Sequence, residues 1–203
     1  MLSKGRLGFL VVASMVLLVL GARAWRKPVV VPLKRPVLSG RSFGSPGANI
    51  KIVEFTDFQC PACANAARVV HKAMQENGAK VFLELKYFPL PMHKNSRKAA
   101  VAAECAREQG RFWAMQDLLF RDQKIWGLLD APDDNFLSLA RSVGADDQKM
   151  MRCVSSAAVE KTVTDDQQEG KKLGVAATPT FFVNGKMVVG AVNFERALKE
   201  ALP

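Results

Sequence analysis

Two thiols, Cys60 and Cys63, stand three positions apart in "FTDFQCPACANAARVV", where a short apolar run gives way to a helical pattern. Three chemistries use such a pair: a metal site, a structural staple, and a dithiol that exchanges electrons. A structural zinc needs a second compact ligand pair. Here Cys105 and Cys153 lie far apart, and the two histidines, His71 and His93, fit no finger spacing, so no metal is expected. A staple across so short a loop removes little entropy from the unfolded chain and stabilises weakly. Redox chemistry makes use of the position itself. A sulfur at a helix N-terminus meets unpaired amides and the positive end of the helix dipole, which favour thiolate over thiol. Cys60 is placed at that terminus and Cys63 one turn in, with Pro61 suited to the first turn because its missing amide is not needed there. On this reading Cys60 attacks or is attacked, and Cys63 resolves the mixed disulfide. A stabilised Cys60 thiolate also leaves readily, which makes the oxidised pair an oxidant of other thiols.

The elements that must hold this pair can be read around it. "NIKIVEF", Asn49 to Phe55, suits a largely buried strand, and a helix is predicted from about Cys60 to Asn77, stopped near Gly78. "KVFLELKYF" alternates Val81, Leu83, Leu85 and Tyr87 against Phe82, Glu84, Lys86 and Phe88, a second strand closed by Pro89 and Pro91. Strand, helix, strand in this span is a βαβ unit with a parallel pair. From about 95 to 172 the pattern is helical, with Asp130 and Asp146 as expected N-caps and Phe112, Trp113, Met115, Leu118 and Leu119 at core spacing. In "TPTFFVNGKMVVGAV", Asn184 and Gly185 suit a type I′ hairpin, and a closing helix runs from Asn193 to about Leu202.

Composition bounds the rest. At 203 residues and 49% hydrophobic, the chain can bury a full core without metals or many disulfides. Of its 29 basic residues, eight lie between Met1 and Pro46 with no acid among them, leaving 21 against 19 acids beyond. The net charge of +10 therefore belongs to the N-terminal flank, and no nucleic-acid binding is expected. Lys4 and Arg6 precede the apolar stretch Leu7 to Leu20, and Ala22 and Ala24 form a small-x-small site. This predicts an export signal or membrane anchor over 1–24. The stretch falls short of the ~20 apolar residues of a spanning helix, which favours cleavage, whereas Arg23, Arg26 and Lys27 favour an uncleaved anchor. A tether rich in proline and glycine is expected over 25–48, without heptads for dimerisation, so a monomer is expected. The folded part then lies outside the cytoplasm, in the periplasm or on the outer side of the envelope, where disulfides persist.

From Asn49 to about Pro203 the sequence resembles the thioredoxin superfamily, and within it the DsbA-like thiol–disulfide oxidoreductases. The resemblance rests on "VEFTDFQCPAC" at a strand end, the placement of the helical insertion, and "TPTFFVNGK" late in the chain. It implies an α/β thioredoxin fold with an inserted helical subdomain and no cofactor. It also implies a cis bond before Pro179, with Thr178 and Pro179 packed beside the dithiol, where backbone can pair with an extended substrate. A trans proline opening an edge strand is the other reading of those two residues. Glu54 matches a buried acid that the family places under the active site, and Lys86 its basic companion. The plain alternative is that both face solvent. Some members carry a second disulfide in the insertion, which would pair Cys105 with Cys153; two unpaired buried thiols are the alternative. The function implied is a dithiol oxidase that acts on reduced or unfolded secreted proteins and is recharged by a quinone-linked membrane oxidoreductase. Ala62 departs from the best-known oxidases, which carry histidine there, and Thr178 also occurs among reductases and isomerases, so a reductase or isomerase is the second reading. A non-catalytic envelope chaperone or copper-binding module is the third. Phe58, Met92 and Trp126 are candidates for an apolar patch near the dithiol, and His71 and His93 receive no chemical role.

Overall fold

The computed structural model describes residues 40–203. The expected leader at 1–24 and the first part of the tether lie outside the described residues. Among the described residues, five strands, β1 (Ser42–Gly44), β2 (Ile50–Thr56), β3 (Val81–Tyr87), β4 (Thr180–Val183) and β5 (Lys186–Val189), form one mixed sheet in the order β1-β3-β2-β4-β5. Strand β2 (Ile50–Thr56) and β3 (Val81–Tyr87) pair in parallel from Ile50↔Val81 to Thr56↔Tyr87. Helix α1 (Pro61–Asn77) makes the crossover between them. The alternation seen in the sequence is the burial pattern of β3: Val81, Leu83, Leu85 and Tyr87 are fully enclosed, and the residues between them are half-buried.

β4 (Thr180–Val183) runs antiparallel to β2, and β5 (Lys186–Val189) returns along β4. Their turn is Asn184–Gly185, both at positive φ (48° and 82°), the backbone that a two-residue hairpin needs. The stretch expected to be tether as far as residue 48 contributes a strand of its own. β1 (Ser42–Gly44) pairs antiparallel with β3, so the folded part begins before Asn49. Three residues are too few to carry a readable periodicity.

Between β3 and β4 the chain makes six helices: α2 (Ser96–Glu108), α3 (Phe112–Arg121), α4 (Gln123–Trp126), α5 (Asp133–Ser142), α6 (Asp147–Val154) and α7 (Ala157–Lys172). Helix α8 (Ala191–Ala201) closes the chain. Asp146 caps α6, its side chain accepting from Lys149 N at 2.8 Å. Asp130 caps nothing: α5 starts three residues later, and the Asp130 carboxylate reaches Lys94 Nζ at 2.7 Å.

One face of the sheet and the insertion share a core. Phe58, Leu85 and Tyr87 meet Phe112, Met115, Leu119 and Trp126 there, and the small side chains of Ala99, Ala100, Ala102 and Ala103 let α2 approach closely. Trp126 is fully buried, and its indole N–H donates to Leu119 O at 2.8 Å, so the ring adds roughly 2–3 kcal/mol of apolar burial without an orphaned donor. Further along the same face, Ile52, Leu83 and Phe181 pack with Val70 of α1 and with Phe194 of α8, whose ring stacks on Phe181 at 4.2 Å. On the opposite face α7 approaches through Gly170, where an added Cβ would lie 2.6 Å from the Phe88 ring.

Two cross-links tie the insertion down. Cys105 of α2 and Cys153 of α6 form a disulfide with sulfurs 2.03 Å apart. Arg41, just before β1, contacts the Asp166 carboxylate, lies 3.6 Å from Glu104 and covers the Tyr87 ring at 4.5 Å. The Tyr87 hydroxyl donates to Glu104 at 2.9 Å, so these buried charges are paired.

Candidate active site

The topology brings the two halves of the site together. β2 ends at Thr56, and the chain turns through Asp57, Phe58 and Gln59 to Cys60. β4 is antiparallel to β2, with Thr180 opposite Phe55, so the residues that enter β4 arrive where β2 lets go. Those residues are Thr178 and Pro179, joined by a cis peptide bond. Cys60 Sγ lies 3.4 Å from Thr178 O.

Cys60 is the N-cap of α1, with extended backbone (φ −79°, ψ 120°) and Pro61 in the first turn. Its carbonyl accepts the amides of Cys63 at 3.0 Å and Ala64 at 3.2 Å, which opens the helix. The first turn of α1 holds no acidic residue, so no carboxylate of the helix itself offsets the dipole at Cys60. Both thiols are free; Cys63 is fully enclosed, whereas Cys60 is 7% exposed.

These surroundings split the two acidities. Cys60 is pushed down to about 5, chiefly because the Cys63 thiol donates to it. Burial opposes that shift, and the Thr178 side chain with the amides of Cys63 and Ala62 assists it. Cys63 is driven well above the ordinary thiol value, first by burial and then by its neighbour Cys60. The Thr178 hydroxyl is buried without a hydrogen bond to any described residue while Cys60 is a thiol, which leaves it available to a thiolate. The Asp57 amide points at Cys63 Sγ from 3.5 Å.

Glu54 lies on the inner face of β2 and is 3% exposed. Burial raises its carboxyl to about 7, with the Thr56 side chain pulling the other way. The Thr56 hydroxyl also lowers Cys63 slightly, although it forms no well-aligned hydrogen bond with a described residue. The pairing of Glu54 with Lys86 is corrected. In the β2–β3 register Glu54 stands opposite Leu85, and Lys86 opposite Phe55, so the two charges face opposite sides of the sheet. Lys86 instead reaches Glu169 of α7 at 2.6 Å and Glu84 at 3.9 Å.

Of the expected apolar patch, Phe58 and Trp126 belong to the core, whereas Met92 is 76% exposed. Ile125 and Leu128 are exposed with it. The segments that carry them are tied to the residue before Cys60: Gln59 Nε2 donates to Gly127 O at 3.0 Å, and Gln59 Oε1 accepts from Asn95 N at 2.7 Å. Gln123 Nε2 donates to Phe58 O at 2.7 Å and to Cys60 O at 3.0 Å.

Sequence reasoning missed the residue that organises this loop. Asp57 is enclosed, and both its carboxylate oxygens are in use. Oδ1 accepts from Gln59 N at 2.7 Å and from the Ser96 hydroxyl, and Oδ2 accepts from Leu90 N at 2.9 Å and lies 2.7 Å from His93 Nδ1. The available signal was a lone acid between Phe55 and Phe58 at the end of an apolar run, directly before the dithiol. His71 is elsewhere, 3.3 Å from Asp117 across α1 and α3.

A sequence model described as thioredoxin matches residues 38–202. The structure is similar to that of a thioredoxin-like oxidoreductase from Silicibacter pomeroyi, with 26% identity and a TM-score of 0.67, covering 81% of this chain and 93% of that one. The fold is also that of alpha-DsbA1 from Wolbachia pipientis (21% identity, TM-score 0.70, 83% and 94% covered) and of BdbD from Bacillus subtilis (21%, 0.69, 82% and 95%). Among curated proteins, the Na(+)/H(+) antiporter NhaA 1 of Mycolicibacterium gilvum is 33% identical over 181 residues, which is 85% of this chain and 28% of that protein. The chain spans under a third of the length of the curated relatives it matches.

Proposed function

The chain belongs to the thioredoxin family, in the DsbA-like form of its fold, and from that premise we propose that it is an exported dithiol oxidase that introduces disulfides into secreted or envelope proteins. The observation that carries the reading is the split between Cys60, pushed down to about 5, and the enclosed Cys63, pushed well up. A pair whose reduced form holds a comfortable thiolate gains free energy on accepting electrons, so its disulfide is oxidising.

The steps follow from the sulfurs' positions. A substrate thiolate attacks Sγ of Cys60 in the oxidised pair; the new substrate–Cys60 disulfide forms as the Cys60–Cys63 bond breaks. Cys63 departs as a thiolate and, with its raised pKa, takes up a proton. Glu54, protonated up to about pH 7 and, like Cys63, within the influence of the Thr56 hydroxyl, suits that delivery. A second substrate thiolate then attacks the first substrate sulfur and expels the Cys60 thiolate. Two substrate thiols have become a disulfide, and the dithiol holds both electrons until an acceptor removes them. The acceptor class we propose is a quinone-linked membrane oxidoreductase, to which an export signal or anchor in 1–24 would bring the protein; the residues between that segment and β1 would link it to the thioredoxin domain.

Met92, Ile125 and Leu128 support an unfolded protein as substrate, because they offer apolar area on segments joined to Gln59 beside the reacting sulfur. One observation favours the second reading, a reductase or isomerase. Ala62, between the thiols, supplies no charge to hold the Cys60 thiolate. Equilibration with glutathione buffers decides between them, with Cys60→Ser as the control that must lose exchange. A potential near about −120 mV gives the oxidase, and one near about −270 mV the reductant.

A further inference from the structure

We propose that His93 is a positioning residue of the dithiol, acting through Asp57 to hold the Asp57 amide on Cys63 Sγ. The inference rests on Cys60 and Cys63 being the exchanging pair, and it adds a residue from a distant loop to their control.

Asp57 stands at the junction of the site's parts. Its backbone touches both cysteines: the carbonyl accepts from Cys60 N at 3.1 Å, and the amide donates toward Cys63 Sγ at 3.5 Å. Its carboxylate is fully enclosed and joined to the segment that follows β3, through Leu90 N and His93 on Oδ2 and through Ser96 on Oδ1. A buried carboxylate is costly unless its lone pairs are satisfied, so these donors fix where Asp57 sits. Where Asp57 sits in turn fixes the direction of its amide.

That amide begins a directed chain. The Asp57 N–H points at Cys63 Sγ, and the Cys63 thiol donates to Cys60, which is the largest influence holding the Cys60 proton off. Hydrogen bonds in such a chain polarise one another, so weakening the first weakens the second. Among the four donors on Asp57, His93 is the side chain that meets solvent as well as the carboxylate. The others are two backbone amides and the buried Ser96 hydroxyl.

Removing the His93 donor has two effects of one sign. Oδ2 keeps only Leu90 N, so Asp57 can rotate and its amide drifts off Cys63. The carboxylate charge also keeps one donor fewer, and it lies in a residue whose backbone meets Cys63 Sγ and the Cys60 amide, where it opposes a thiolate. Both effects raise the pH at which Cys60 ionises. Oδ1 keeps Gln59 N and Ser96, so the loop stays folded.

The test compares His93→Asn with His93→Gln. An asparagine Nδ2 can occupy the place of the histidine Nδ1 and donate to Oδ2, whereas the glutamine amide is carried one bond too far. Ionisation of Cys60 is followed by thiolate ultraviolet absorbance on the reduced full chain, and the same variants are equilibrated with glutathione. In His93→Gln the Cys60 transition is expected to move up by about one pH unit, about tenfold in thiolate stability, with a matching loss of oxidising strength. His93→Asn is expected to retain most of the wild-type value. Equal transitions in the two variants, or a glutamine variant that titrates like wild type, would overturn the proposal. The titration needs no partner protein, so it stands apart from the oxidase reading, which fails instead if the wild-type dithiol equilibrates at about −270 mV.

Discussion

Glu54 and Lys86 occupy neighbouring strands yet face opposite sides of the sheet, because the parallel register sets Glu54 against Leu85 and Lys86 against Phe55. The acid beneath the dithiol is therefore buried without a cation from β3, and burial alone lifts it to about 7.

This makes stability depend on pH in a stated direction. Below the ordinary carboxylate range the group is protonated in both states and costs nothing. Between that range and about 7 the unfolded chain releases the proton while the folded chain keeps it, so folding stability falls as pH rises. The loss levels off above about 7 at an order of about 3 kcal/mol. Urea unfolding of the oxidised protein across pH 4 to 8 should show the fall, and Glu54→Gln should remove it. Parallel curves for the two proteins would refute this account of the carboxyl.

The reduced protein adds a term of the opposite slope. Cys60 has a folded pKa near 5 and an unfolded value near that of a free thiol, so its contribution is present in full above the unfolded value and is lost as pH falls through about 5. Alkylation at pH 6 should therefore label Cys60 rapidly and leave Cys63 intact, as peptide mass mapping would show. A rate that climbs only above pH 8 would contradict the depressed thiol.

Ala62 is exposed and sits between the thiols. In Ala62→His an imidazolium at the helix N-terminus should stabilise the Cys60 thiolate further, by roughly 0.5–1 kcal/mol at a solvent-facing site, and make the disulfide severalfold more oxidising. The glutathione equilibrium measured at pH 6, where the imidazole is largely charged, is the check. An unchanged constant would mean that Cys60 is already as well stabilised as that terminus allows.

The Cys105–Cys153 bridge joins residues 48 positions apart, so Cys105→Ala with Cys153→Ala should cost about 4 kcal/mol in the chain-entropy model. Calorimetry should find a lower Tm for the double variant, while the Cys60 titration stays where it was. A shift in that titration would show that the insertion's cross-link acts on the dithiol.

The parts legible in sequence are those governed by local rules. The alternation in Val81–Tyr87, the Asn184–Gly185 turn and the helix opening at Cys60 each follow from a few adjacent residues. The parts that depend on partners distant in sequence were not legible. The opposite facing of Glu54 and Lys86 is set by strand register, which no single strand reveals. Phe58 and Trp126 read equally well as patch or core until Phe120 of α3 packs on the first and Phe136 of α5 on the second. Asp57 meets His93 only because the segment after β3 folds back over the end of β2, and their 36-residue separation hides the pair from any local pattern.

Cys63 has no surface of its own, whereas Cys60 retains a sliver of it. The site thus has a single doorway. A partner can form a covalent bond to one atom only, every electron pair must arrive and depart through that atom, and two proteins can never be held on the dithiol at once. Whatever delivers thiols and whatever recharges the pair must therefore take turns.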